Sequence, residues 1–451
     1  MKRIGLPITF LFFAASLLGQ DPKVLTFQQA VKIGLDNNLA LNQQENLLIS
    51  SRVAKTAGIM GMTPTVSING NAGRQDGNSF NQQQGQVVNG VVDFIGANAS
   101  AQLPLFQGLN NFNNYRAANN LYEAQLHLVK RSTQDVIRNV ASQYLQCLLD
   151  RQIVEIRQKN LETQEQQYEQ ISEQVSAGSR AEVDMVNQEF QVKNAELTLL
   201  RANITLRNDV ATLAQTLQID PLQQITLEEP TWDVNLEDAE VPALESLNET
   251  AIESRSDLAS AKYTEKANEF GFQATRGIYF PSVTAFAQYG SRYNYIHASE
   301  TFTPQNRGFD EQFFNDNTQL TYGVTFSIPI YGGFNTRANV ARNKALYENS
   351  KLTRENAEIT VKSDVLRAYQ NYRDARTSFE SASSQLRSAE LSYQLEQERY
   401  RLGISDIVAL TQANQNFTQA QSDFQSAKYT LMFQKLLINY AAGTLKFEDI
   451  P

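Results

Sequence analysis

The residues able to do chemistry on their own are few and scattered. Cys147 is the only cysteine, and His127 and His297 are the only histidines, in 451 residues. A lone cysteine cannot form an internal disulfide, and neither histidine has a second ligand at metal-binding spacing. Cys147 falls in an apolar series that repeats every seven residues, which favours a small packing residue over a reactive thiol. The sequence holds neither a nucleophile motif nor a phosphate-cradling glycine loop. No catalytic, cofactor-binding or metal residues are assigned, and the chain is not expected to be an enzyme.

The elements around these residues are more informative. Hydrophobic residues make up 41% of the chain and charged residues 19%, and the formal net charge is −9. That balance fits a folded protein and opposes a nucleic-acid partner. Lys2 and Arg3 precede an apolar run over residues 4–18, with Gly19 as a small residue at the cut, so residues 1–19 read as a secretory signal peptide. No later stretch has the roughly 18 consecutive apolar residues of a membrane helix. Insertion into a membrane would therefore be by strands.

The chain is written twice. Leu103-Pro104-Leu105-Phe106-Gln107-Gly108 matches Ile328-Pro329-Ile330-Tyr331-Gly332-Gly333, and at the same offset Tyr144 matches Tyr369, Gly178 matches Gly403 and Leu213 matches Ile438. Two large copies point to a pseudo-symmetric protomer, not a solenoid. The domains read as a first repeat over 20–218, a proline-containing acidic connector over 219–242, a second repeat over 243–443 and a tail over 444–451.

Each copy begins with a helix, at residues 27–59 and 251–275. Period-two segments follow. Leu320, Tyr322, Val324, Phe326 and Ile328 alternate with Thr321, Gly323, Thr325 and Ser327, giving one dry and one wet face. Residues 95–103, 66–72 and 283–289 alternate likewise. Strand lengths near the ~9–11 residues that cross a bilayer, with aromatics at Phe106, Tyr279, Phe280, Tyr289, Tyr293 and Tyr331, fit membrane strands with interfacial rings. The Asn-, Gln- and Gly-rich stretches 74–89 and 291–317 read as outer loops. Four strands cannot seal themselves against lipid. Several subunits must share a wall, and three copies would give twelve strands and room for a lumen.

Residues 111–177 contain no proline or glycine before the turn, enough for about 100 Å of helix at ~1.5 Å per residue. Val140, Cys147, Val154, Leu161, Tyr168 and Val175 form a heptad series, as do Val365, Tyr372, Phe379, Leu386, Tyr393 and Tyr400. Met185 to Leu213 and Leu410 to Ile438 continue the seven-residue spacing after each turn. Two antiparallel coiled-coil hairpins follow, turning at Gly178 and Gly403, where glycine suits a helix end.

The duplicated order of helix, strand, strand, long helix, glycine turn and shorter helix resembles the TolC-like outer membrane efflux proteins over essentially the whole mature chain. The post-strand segments above carry the resemblance, with the tips Val175-Ser176-Ala177-Gly178 and Glu398-Arg399-Tyr400-Arg401-Leu402-Gly403 and the segment Phe417-Thr418-Gln419-Ala420-Gln421. It implies a mixed α and β membrane protein of the cell outer membrane. Such a protein is a homotrimer with a twelve-stranded transmembrane β-barrel, four strands per protomer, continued by a periplasmic α-helical coiled-coil tunnel. Its implied partners are outer-membrane lipid, a periplasmic adaptor protein and an inner-membrane pump, with no cofactor. Its implied role is passive conduction in tripartite efflux or type I secretion. A non-conducting coiled-coil protein spanning the periplasm is the alternative.

The resemblance also carries roles onto residues. Ala177, Gly178, Ser179, Leu402, Gly403 and Ile404 become adaptor-docking candidates, although helix termination alone would account for the glycines. Asp184 and Tyr400 become gate candidates joined by a carboxylate–phenol hydrogen bond. The family's acidic ring positions in the second copy are Ala409 and Gln412 here, with Asp406 nearby but one helical turn off. Asp406 is the remaining gate candidate.

Overall fold

The computed structural model describes residues 23–81, 85–220, 225–229, 242–298 and 305–449. The expected signal peptide over 1–19 and most of the expected connector over 219–242 lie outside them. The chain divides into a helical unit (Met1–Gln43, Arg131–Arg255, Val361–Pro451) and a sheet unit (Gln44–Lys130, Ser256–Thr360).

The same order of elements runs through the chain twice. The first half has β1 (Lys23–Leu25), α1 (Phe27–Asn37), α2 (Leu39–Met60), β2 (Thr65–Asn81), β3 (Gln86–Gln107), α3 (Asn110–Ser176) and α4 (Glu182–Thr216). The second has β4 (Ile225–Leu227), α5 (Leu244–Ser254), α6 (Ser256–Arg276), β5 (Ser282–Ile296), the short α7 (Phe309–Glu311), β6 (Gln319–Ser327), α8 (Gly333–Arg401) and α9 (Ile407–Ala442). The two helices expected ahead of the strands are each broken. Asn38 and Arg255 leave helical geometry with ψ of 119° and 116°. At Asn38 the side chain then accepts the Leu41 N–H at 3.0 Å and restarts the helix, the local competition with backbone bonding that asparagine favours.

The helical unit is held by its heptad seam. Val140, Cys147, Leu161, Val192, Leu213, Val365, Tyr372, Leu410, Leu431 and Ile438 are buried, and the other members of the four series are half-buried. The seam side of each helix packs, and α3 buries further residues beside it, among them Ile137, Tyr144 and Leu148; tertiary packing of this kind is how long helices without intrinsic amphipathic strength are stabilised. Nothing in the apolar pattern points to the parallel pairing of β1 with β4. Tyr144 secures it: its hydroxyl lies 2.9 Å from the Leu25 carbonyl and 2.6 Å from that of Glu228, and Arg151 donates to the Leu227 carbonyl at 2.5 Å.

The sheet unit holds four antiparallel strands in the order β2-β3-β5-β6. Three are longer than expected, with 17, 22 and 15 residues in β2, β3 and β5 and only 9 in β6. Much of the expected first loop is paired strand: Arg74 faces Asp93 and Asn78 faces Asn89. A hairpin ladder bonds backbone to backbone whatever its side chains, so polar residues prolong it past the point where the apolar pattern stops.

The second expected loop is also built. Above Gly290, the last β5 residue paired to β6, side-chain amides take the place of a strand. Asn317 donates to the Arg292 carbonyl at 2.6 Å. Gln312 accepts from the Asn294 N–H at 3.2 Å and donates to its carbonyl at 3.1 Å. Asn306 does the same for Ile296 at 2.9 and 2.7 Å. The upper edge of β5 is thereby satisfied without pairing.

Candidate functional site: hairpin tips and a two-faced sheet

The two hairpin turns share one geometry. In the first, Gly178 has φ +73° and its N–H bonds the Val175 carbonyl at 2.9 Å, while Ser179 N–H reaches back to Gln174 at 2.9 Å. In the second, Gly403 has φ +72°, with Gly403 to Tyr400 at 3.0 Å and Ile404 to Arg399 at 2.9 Å. These bonds close the carbonyls that a helix end leaves open, and the left-handed residue at their centre favours glycine. No atom lies within 4 Å of where a Cβ would stand at either glycine, so backbone conformation alone demands it. Ala177, Gly178, Ser179, Leu402, Gly403 and Ile404 are all exposed. Leu402 and Ile404 retain 62% and 66% of their surface, which places two large apolar side chains in water at a chain reversal.

Below the turns, Ile171 of α3 packs on Ile407 and Leu410 of α9, flanked by Val175, Met185, Tyr393 and Tyr400. This cluster brings Tyr400 toward the first hairpin, but Asp184 does not bond it. Arg180 stands between them. Its guanidinium donates to the Tyr400 hydroxyl and to Gln174 Oε1, and pairs with Asp184 at 3.3 Å. It also lies 5.0 Å from the Tyr400 ring centroid. The carboxylate–phenol bond expected from the sequence is therefore replaced by a carboxylate–guanidinium–phenol chain. Asp406 lies apart from that chain, capping α9 by accepting the Ala409 N–H at 2.8 Å. Arg180 was legible as the lone cation beside the first glycine turn, at i,i+4 spacing from Asp184.

A polar seam also runs inside the helical unit. Gln188 bonds Gln164 at 2.9 Å, Asn414 bonds Asn160 at 2.7 Å, and Thr418 reaches the same Asn160 at 3.4 Å. Amides facing one another across helices fix register where apolar packing alone permits sliding. Farther from the turn on α3, Asp150 is 7% exposed. Its Oδ1 accepts from Gln146 at 3.1 Å, and its Oδ2 is enclosed without a donor among the described residues. Burial, and then the neighbouring carboxyl of Asp209, push its pKa up to about 7. Burial, reinforced by the charges of both aspartates, pushes the adjacent Cys147 thiol up to about 12. Cys147 is therefore a packing residue, since the thiolate is the reactive form.

In the sheet unit, registration sorts the side chains into two faces. Val66, Ala101, Ala287 and Tyr322 form one row across the strands, and Ile68, Ala99, Tyr289 and Leu320 the next. Ile68 and Tyr322 are 80% and 77% exposed, so this apolar face has no cover of its own. The opposite face carries Ser67, Ser100, Gln288 and Thr321, then Asn69, Asn98, Gly290 and Gln319. The apolar face ends at Arg74, which holds Asp93 through two bonds of 2.6 and 2.8 Å, with His297 2.8 Å from the same carboxylate. Among the described residues neither β2 nor β6 has a strand partner on its outer edge. No described helix is long and apolar enough to cross a membrane.

A family described as outer membrane efflux protein matches residues 31–217 and 247–436. The Outer membrane protein TolC of Escherichia coli is 24% identical over 374 residues, covering 80% of this chain and 73% of that protein. The Probable efflux pump outer membrane protein TtgC of Pseudomonas putida is 23% identical over 417 residues, covering 87% of this chain and 78% of that protein. Among solved structures, CusC aligns with a TM-score of 0.78 at 15% identity, covering 92% of both chains. The outer membrane protein VceC from Vibrio cholerae aligns at 0.79 and 13% identity, covering 92% of this chain and 96% of its own.

Proposed function

The chain belongs to the outer membrane efflux protein family, and from that premise we propose that it is the outer-membrane channel of a tripartite efflux or type I secretion system. The observation that carries this reading is the sheet, with a dry exposed face, a wet face and two open edges. Along β3 the apolar face runs from Phe106 to Ile95, about 36 Å of strand or roughly 28 Å of height at a 40° tilt. That matches the hydrocarbon thickness a barrel strand must cover.

Open edges in lipid would leave backbone groups unsatisfied, at several kcal/mol each. Joining β6 of one copy to β2 of the next removes them. Two copies would give an eight-stranded barrel filled by its own side chains, whereas three give twelve strands and a lumen lined by the serine, threonine and amide face. The homotrimer is thus the smallest assembly that both closes and conducts. The two repeats, 20–218 and 243–443, each supply one strand hairpin and one helical hairpin. On this reading conduction is passive, and the driving force comes from an inner-membrane pump joined by a periplasmic adaptor.

Ala177, Gly178, Ser179, Leu402, Gly403 and Ile404 are the adaptor-docking surface on this reading. Exposed apolar side chains on a rigid turn suit a partner. Asp184 and Tyr400, linked through Arg180, form the gate, and Asp406 stiffens the neighbouring turn as a helix cap. The test is to purify the full chain in detergent, measure its mass against the 50.7 kDa protomer, and record planar-bilayer conductance. A trimer with discrete conductance steps is expected. A monomer, or a trimer that passes no current under any condition, returns the protein to the non-conducting alternative.

A further inference from the structure

The segment joining β5 to β6 carries an aromatic knob that the channel reading does not use. Phe309 stacks on Phe313 with centroids 5.0 Å apart, and Phe314 meets Phe313 edge-on at 5.3 Å. Phe309 also packs edge-on against Tyr293 at 5.2 Å, and Ser291 Oγ donates to the Phe313 carbonyl at 2.5 Å. Phe314 remains 63% exposed. Three phenylalanines clustered on a short non-strand segment gain little from one another if they face water alone.

Their position identifies the missing neighbour. Ser291 and Tyr293 alternate in phase with Ala287 and Tyr289, so they belong to the apolar face of the sheet, and the knob lies over that face. Tyr293 pairs with Ile95, close below the row where Arg74, Asp93 and Tyr295 meet. The knob therefore stands where hydrocarbon gives way to headgroups. Its charges fit that level. Arg307 pairs with Asp316 at 2.7 Å and with Glu311 at 3.6 Å, and Asp310 adds a third carboxylate, so an aromatic body has a charged, water-seeking border. An apolar body with a polar border is the side-chain chemistry that collects at a membrane interface. The three carboxamides that seal the upper edge of β5 hold the segment in place, and this edge is closed to another strand.

We propose that residues 305–318 form an interfacial lipid anchor. On this proposal the rings of Phe309, Phe313 and Phe314 sit in the glycerol and upper acyl zone of the outer leaflet, fixing the height of the barrel in the bilayer. This rests on the membrane reading of the sheet. The two are separated by placing one reporter on each feature in the full chain. Trp232, the only tryptophan, is replaced by Phe, and either Phe314→Trp or Val324→Trp is introduced. Each protein is reconstituted into phosphatidylcholine vesicles brominated near the glycerol or near the chain ends.

Val324→Trp, on the apolar face of β6, should lose most emission to the deep bromines. Phe314→Trp should be blue-shifted and lose most emission to the shallow ones. Phe314→Trp quenched by aqueous iodide but by neither lipid, with Val324→Trp behaving as expected, overturns the anchor and leaves the channel standing. Val324→Trp untouched by either lipid overturns the membrane reading and the anchor with it. Phe309→Trp gives the same readout if circular dichroism shows that Phe314→Trp does not fold.

Discussion

Replacing Asp150 by Asn should make the helical unit more stable at neutral and alkaline pH and flatten its dependence on pH. Asp150 is buried on α3 with one oxygen held by Gln146 and the other lacking a donor among the described residues, beside the carboxyl of Asp209. In the folded protein its pKa is raised from 3.8 to about 7, first by burial and then by Asp209. A carboxyl whose pKa is higher folded than unfolded binds more protons in the native state. Its stabilising share is therefore complete below about pH 4 and drains away as pH rises to about 7. That rise from 3.8 to about 7 sets a ceiling of about 4 kcal/mol per chain. Asparagine keeps the shape and supplies N–H donors toward Asp209 at every pH, so Asp150→Asn should recover much of that energy above pH 7 and gain nothing below pH 4. Unfolding followed by far-ultraviolet circular dichroism in detergent, in guanidinium at pH 4, 6 and 8, reads the difference. Parallel pH profiles for the wild type and Asp150→Asn would refute the raised pKa of Asp150.

Three further outcomes follow from the same geometry. Gly178→Val and Gly403→Val should each lower the melting temperature, because a β-branched residue pays about 1–2 kcal/mol at positive φ, whereas Gly178→Asn should be nearly neutral; thermal melts compare them. Arg180→Ala should raise single-channel conductance as much as Asp184→Ala combined with Tyr400→Phe, since all of them cut one chain of contacts, and unchanged conductance would remove these residues from the gate. Val324→Lys, on the apolar face, should cost about 2–4 kcal/mol on insertion and reduce the amount recovered in the outer membrane, while Thr321→Lys, one residue away on the polar face, should insert normally and shift ion selectivity toward anions.

The parts of the fold legible in the sequence are those set by period. Heptads named the buried seam of all four hairpin helices, and alternation named both faces of the sheet, because each pattern follows from which side of an element must be dry. The tip glycines were legible for a related reason: left-handed backbone has few tenants. What the pattern missed is held by polar contacts between residues far apart in the chain. The β1–β4 pairing depends on Tyr144 and Arg151 reaching backbone carbonyls more than seventy positions away. The length of β2 and β3 depends on backbone ladders indifferent to side-chain polarity. Arg180 could have been picked out by its charge, but its contact with Tyr400 depends on how two hairpins meet, which no local spacing encodes.

The two hairpins share a backbone and differ in what secures it. At matching positions the first has Arg180, Ala181 and Asp184 where the second has Ser405, Asp406 and Ala409. The start of α4 has no side-chain cap at Ala181, whereas Asp406 caps α9. The second turn is thus secured within itself, with Ser405 also donating to Glu396. The first relies on Arg180, whose bonds run to Gln174 and Asp184 on its own hairpin and to Tyr400 on the other. An N-cap is worth about 1 kcal/mol and persists whatever the neighbouring hairpin does. A charge-assisted bond between hairpins is of comparable size but is lost as soon as they part. If the tip opens, the physical expectation is that the Arg180–Tyr400 contact breaks while the α9 cap stays intact. Hydrogen exchange should then show the amides after Ala181 opening before those after Asp406, and the reverse order would mean that the ion-pair chain, not the cap, is the permanent structure.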